Sequence, residues 1–137
     1  MVTMRTTRAR RGLVAVEMAL LLPLLLVLLF GMLEYGSLFW RAQQIGSAAR
    51  QGARVGALPS GTSASVTSAV DTLMNSYGLG GSGYTVTLTP ANPASLASGE
   101  SFTVSISVPY TAIQLTKFPV PTPTDLVRST TMAREGG

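Results

Sequence analysis

The chain has 137 residues, enough for one small domain, and contains no cysteine and no histidine. Disulfides, thiol nucleophiles and the commonest zinc ligands are therefore excluded, and the six acidic residues stand too far apart to suggest a carboxylate pair or a metal cage. The net charge of +4 lies entirely before Leu13, because the basic and acidic residues balance from there onward.

The first predicted elements are a basic leader, residues 1–12, and a membrane-spanning helix. The run from Leu13 to Leu33 has one polar group, Glu17, and about 20 apolar residues cross a hydrocarbon core. We favour a topological role for the leader arginines, by the positive-inside rule, over an arm that binds nucleic acid. The alternative of a cleaved secretory signal fits less well, because its apolar core is shorter and no small-x-small site follows this run. The leader arginines are Arg5, Arg8, Arg10 and Arg11.

The helix is predicted to continue out of the membrane to about Gly56. No proline occurs between the span and Pro59, and apolar positions recur every three or four residues. Gly52 and Gly56 match a GxxxG pair, which permits close helix–helix approach. Pro23 removes a backbone hydrogen bond, so it either kinks the helix or is simply tolerated in lipid. We therefore assign residues 13–57 to a transmembrane and extended helix, and residues 58–137 to a small periplasmic domain.

The periplasmic domain is predicted to be α+β. Apolar residues from Val66 to Tyr77 follow a helical period, with Thr62 or Ser63 as the cap at the start and Gly78 at the end. The period then changes to two in "YTVTLT" and "SFTVSISVPY", and a last strand is expected in "LVRSTTMARE". The proline-rich "FPVPTPTD" cannot form an inner strand. The predicted fold is a long N-terminal helix, then a short helix packed on a small three-stranded antiparallel sheet.

Glu17 is unusual, because a charge at membrane depth costs a few kcal/mol and is usually paired or functional. If the peptide bond after Gly12 were cut, Leu13 would carry a free amine, and Glu17 would lie on the same helix face. The two charges could then neutralise each other, within one chain or between neighbours. The alternative is that Glu17 reaches the interface and has no further role.

The stretch from Arg10 to Ala57 resembles the TadE-like family of tight-adherence pilus proteins, which are minor pilins or pseudopilins. The family pattern is a basic leader, a glycine and, after four residues, a glutamate, followed by an apolar run with a proline, an acidic-aromatic pair and an Ala/Arg/Gly-rich helix end. The closing "STTMARE" is also similar to the last strand of the family. The matching elements are Arg10-Arg11-Gly12, Glu17-Met18, Pro23, Glu34-Tyr35 and "AARQGARVGA" from Ala48.

The resemblance implies that a prepilin peptidase, an aspartyl protease of the inner membrane, cuts between Gly12 and Leu13. Glu17 would then be the assembly glutamate, the fifth residue of the mature chain. Implied partners are the peptidase, other pilin or pseudopilin subunits and inner-membrane assembly proteins. We expect a single-pass inner-membrane protein with a cytoplasmic N-terminus and entry into the extracellular pilus. We expect no catalytic activity, cofactor, nucleic acid or small-molecule substrate. The alternative is an uncleaved, membrane-anchored periplasmic binding or scaffold module.

Overall fold

The computed structural model describes residues 6–117 and 121–136, with side chains from Gly12 onward. Of the leader arginines, Arg5 lies outside the described residues. The described residues form two helices, three strands and two short 3-10 turns, which confirms the predicted α+β fold. The elements are α1 (Thr6–Ala57), α2 (Ser63–Ser76), β1 (Thr85–Thr89), a turn at Pro93–Ser95, β2 (Ser101–Pro109), a turn at Tyr110–Ala112, and β3 (Asp125–Ala133).

Helix α1 is one uninterrupted helix of 52 residues, about 80 Å long at 1.5 Å per residue. It begins before the predicted start at Leu13, because the arginine-rich leader contains good helix formers and Gly12 alone does not end a helix. It also continues through Pro23, so a kink there stays a prediction. Among the described residues, α1 is the one helix long and apolar enough to cross a membrane.

The sheet is antiparallel in the order β1-β2-β3, with β2 in the centre. The period of two in β2 buries alternate side chains completely, as predicted, and these are Phe102, Val104, Ile106 and Val108. In the described part of the proline-rich stretch, residues 121–124 lie outside the strands and Asp125 begins the edge strand β3, so no residue of it enters the inner strand. Phe118 to Val120 of that stretch lie outside the described residues.

The helical layer over the sheet is formed mainly by the outer half of α1. This half crosses β2 and β3, and α2 packs along α1. Gly52 and Gly56 make both contacts possible. A Cβ atom on Gly52 would lie 2.7 Å from Cγ2 of Val70 in α2, and one on Gly56 would enter the ring of Phe102 in β2. The GxxxG pair therefore faces the core of its own chain.

Both ends of α2 and the C-terminal end of α1 are held by contacts within the chain. Thr62 caps α2, as predicted, and accepts a 3.2 Å hydrogen bond from the backbone N–H of Ser65. Gly78 follows the end of α2 with φ of +70°, a conformation that favours glycine. The N–H of Glu135, just after β3, donates to the carbonyl of Ala57 at the end of α1 over 2.8 Å. The closing segment of the chain thus caps α1.

Candidate functional site

The predicted processing segment lies on an uncovered part of α1. A Cβ atom on Gly12 would meet nothing within 4 Å, and Leu13 is 71% exposed. The bond between these residues lies inside a helix, so cleavage there would require local unwinding of that turn. No described tertiary contact of Gly12 opposes such unwinding.

Glu17 lies one helical turn beyond Leu13, about 6 Å along the axis. Its side chain is exposed, and among the described residues it has no hydrogen-bond or ion-pair partner. The structure therefore leaves this carboxylate free of the domain core. Its position relative to Leu13 is the i,i+4 spacing at which side chains share a helix face.

The segment from Leu13 to Leu33 exposes large apolar side chains on all sides of α1. Leu20 is 74% exposed and Met32 is 76% exposed. An all-round apolar helix needs either a protein core or lipid to cover it. Most of this half of α1 is left exposed by the described part of the domain, which suggests single-pass membrane anchoring.

A second charged site, which the sequence did not predict, begins at the next residue, Glu34. Its side chain is 1% exposed. Its carboxylate accepts hydrogen bonds from the Tyr110 hydroxyl, the Leu115 N–H at 3.2 Å, and the Thr116 N–H and Thr116 Oγ1, both at 2.7 Å. Four donors and no acceptor suit an ionised carboxylate. We call this group of four residues the Glu34 clamp.

Tyr35 adds a contact on the same turn of α1. Its hydroxyl donates to the carbonyl of Pro121 over 2.7 Å. The Glu34-Tyr35 pair, known from the sequence only as part of a family pattern, thus holds the connection between β2 and β3 at both of its described ends. It does so where the apolar segment of α1 ends.

Two tyrosines of the domain have a raised pKa. Burial raises the pKa of Tyr110, and its hydrogen bond to the negative Glu34 raises it further. Burial and a 2.5 Å hydrogen bond to Asp71 raise the pKa of Tyr84 to about 12. Both hydroxyls are therefore donors throughout the physiological pH range.

The sequence carried little indication of the Glu34 clamp. Glu34 follows the apolar run directly, and the positions one turn away hold Phe30, Gly31, Ser37 and Leu38, so no cation is within helical reach. The lack of a nearby cation could have indicated that the partner of Glu34 is distant in sequence. Its partners lie 76 to 82 positions later, and no local pattern identifies them.

Fold and site together define an α+β protein with a long, largely exposed apolar helix, which suggests a membrane anchor, and a small domain built around the outer half of that helix. Residues 12–54 match the family model of the TadE-like proteins. The match confirms the resemblance found in the sequence. No curated protein and no solved structure matches the chain. Among the described residues, no group of three or more acidic, histidine or cysteine side chains could hold a metal ion.

Proposed function

We propose that this protein is a minor pilin or pseudopilin of a tight-adherence pilus. In this proposal a prepilin peptidase cuts the precursor between Gly12 and Leu13, and the mature protein then acts by assembly, without catalysing a reaction. The observation that carries the proposal is the exposed Gly12–Leu13 bond with the exposed Glu17 one turn later, at the start of a bare apolar helix. The family match, which begins at Gly12, supports it.

Cleavage would change the electrostatics of the helix start. The new amine of Leu13 and the carboxylate of Glu17 would each be costly at the membrane edge alone, and pairing them offsets that cost. A pair formed between two chains would set the axial register of neighbouring subunits. Fixing register is the best-attested use of such buried charge pairs.

The rest of the apolar helix supplies the surface for assembly. Most large side chains from Leu13 to Leu33 are exposed, so they need a new cover when the subunit leaves the bilayer. Helices of other pilin subunits, equally apolar, would provide that cover. Partners in this step are the other subunits and the inner-membrane proteins that assemble them.

The domain would move with its helix as one body. Ile45, Ala49 and Ala53 of α1 are fully buried among residues of α2 and the sheet. Separating the domain from α1 would expose this core, so the orientation of α1 in a filament would fix the orientation of the domain.

The leader arginines support a cytoplasmic N-terminus and a periplasmic domain in the inner membrane. A C-terminal reporter that is active only in the periplasm should therefore be active. Activity of a reporter restricted to the cytoplasm would contradict this topology and the proposed function with it.

The intact mass of the protein from membranes tests the cleavage directly. With the native peptidase present, the mass should fall by that of residues 1–12, and without the peptidase it should not. Gly12→Val is the matched control, because it changes only the residue before the cut and should leave an inserted precursor. A full-length mass in both strains would favour an uncleaved, membrane-anchored binding or scaffold module.

A further inference from the structure

Three large apolar side chains are strongly exposed just beyond the apolar segment of α1. Phe39 is 68% exposed, Trp40 is 67% exposed and Leu115 is 61% exposed. Single exposed apolar residues are ordinary. These three come from two separate parts of the chain, yet they lie close to the same level along α1.

The Glu34 clamp sets the level of Leu115. The backbone nitrogen of Leu115 lies 3.2 Å from Oε1 of Glu34, and Glu34 is the first residue after the apolar segment. Phe39 and Trp40 lie about 8 to 9 Å further along the axis, at 1.5 Å per residue. Side chains on a helix lean toward its N-terminus, so these two rings lean back toward the membrane end.

The three side chains are also distributed around α1. At about 100° per residue, Phe39 lies roughly 140° and Trp40 roughly 240° from Glu34. Leu115 occupies the side of Glu34, because its backbone is bonded to that carboxylate. The helix is therefore surrounded by apolar groups where it meets the headgroup region, and aromatic residues are typical of that region.

The segment that carries Leu115 also carries a positive charge. Lys117 is exposed and lies two residues beyond Leu115. Anionic lipid headgroups attract a lysine that lies close to a membrane surface. Its long side chain can place the amine among phosphates while the apolar neighbour enters the acyl boundary.

We propose that residues 113–117 form a second membrane contact, in which Leu115 inserts into the interface and Lys117 binds lipid phosphate. This inference rests on the membrane anchoring within the proposed function. The protein would then contact the bilayer at two places, α1 and this segment. Such a contact fixes the rotation of the domain about the axis of α1, which a single membrane helix leaves free. We assign a lipid surface as the binding partner, because the segment lies beside Glu34, the first residue after the apolar segment of α1.

Single-cysteine labelling of the full chain tests the proposal, since the natural sequence has no cysteine. Leu115→Cys, carrying an environment-sensitive fluorophore, is placed in vesicles of phosphatidylethanolamine and phosphatidylglycerol with a nitroxide on the lipid headgroup. Leu58→Cys is the matched control, because Leu58 is also an exposed leucine but lies at the far end of α1. Leu25→Cys, in the middle of the apolar segment, reports insertion by itself.

We expect the label at position 115 to be quenched several-fold more than the label at 58. Adding Glu34→Ala should reduce quenching at 115 and leave the fluorescence at 25 unchanged. Adding Lys117→Gln should remove the difference between anionic and neutral vesicles. If the label at position 25 reports insertion while the label at 115 is quenched no more than the label at 58, the second contact is refuted and the membrane anchor stands. If 25 shows no insertion, both the anchor and this inference fail.

Discussion

The buried carboxylate of Glu34 accepts the hydroxyl hydrogen of Tyr110, a residue 76 positions later in the chain. This bond joins α1 to the end of β2 at the membrane end of the domain. Because Thr116 and Leu115 donate to the same carboxylate, one side chain holds the start of the connection that leads to β3. The outer half of α1 and the sheet are therefore linked at both ends, here by Glu34 and at the far end by the backbone N–H of Glu135, which donates to the carbonyl of Ala57.

Removing the carboxylate should destabilise the domain strongly. Glu34→Ala leaves the buried Tyr110 hydroxyl and three partly buried donors of Leu115 and Thr116 unpaired, at a cost of about 1–3 kcal/mol or more. Tyr110→Phe removes a single donor and should cost about 1 kcal/mol. Denaturant unfolding in detergent, followed by the fluorescence of the one tryptophan, Trp40, gives both values. Glu135→Ala is the control, because that side chain is exposed. Equal stability of all three variants would show that the clamp contributes nothing.

Stability should fall at alkaline pH. Tyr84 has an ordinary pKa of 10.0 and a native pKa of about 12. Above pH 10 the unfolded chain releases this proton while the native state keeps it, so unfolding is favoured as pH rises. The stabilisation is complete below pH 10 and is lost as pH approaches 12. Tyr84→Phe should be less stable at pH 8 but lose less stability between pH 10 and 11. Parallel pH profiles for the two proteins would contradict the assignment.

Two glycines of α1 should respond to alanine with opposite signs. At Gly56 a methyl group enters the ring of Phe102, and overpacking of this kind costs about 1–3 kcal/mol. At Gly36 nothing lies within 4 Å of the added atom, so Gly36→Ala should stabilise the helix by about 0.5–1 kcal/mol. Thermal unfolding of the two variants measures the difference. A neutral or stabilising Gly56→Ala would show that α1 does not lie this close to β2.

Local patterns predicted the elements well. The period of Val66, Val70 and Met74 identified α2, and the period of two from Phe102 identified β2, because in both cases the spacing reflects one buried face. The packing of these elements against each other was harder to predict from the sequence. Gly52 and Gly56 could be recognised as sites of close approach, but their neighbours in α2 and β2 are set by tertiary packing.

The same difference between local pattern and tertiary packing applies to the residues of the candidate site. Gly12, Leu13 and Glu17 are close in sequence, so their spacing on one helix could be read directly. The partners of Glu34 follow β2 in the chain, 76 to 82 positions after Glu34. A hydrogen bond between residues so far apart in sequence produces no periodic pattern. The same holds for Arg134, whose Nη2 donates over 2.7 Å to the carbonyl of Pro59. Only the fold brings these residues together.

The measurement that tests the central claim most directly is the number of pili per cell, beside the processed fraction, for Glu17→Ala. The substitution makes the span more apolar, so insertion should not suffer, and the peptidase still meets Gly12. After the cut, the amine of Leu13 would lack its partner, at a cost of about 1–3 kcal/mol or more.

We predict that Glu17→Ala inserts, is cut at least in part, and fails to support piliation. Glu17→Asp should be intermediate, because its shorter side chain reaches less far. Normal pilus number with a fully processed Glu17→Ala protein would contradict the account and leave Glu17 without a role in assembly.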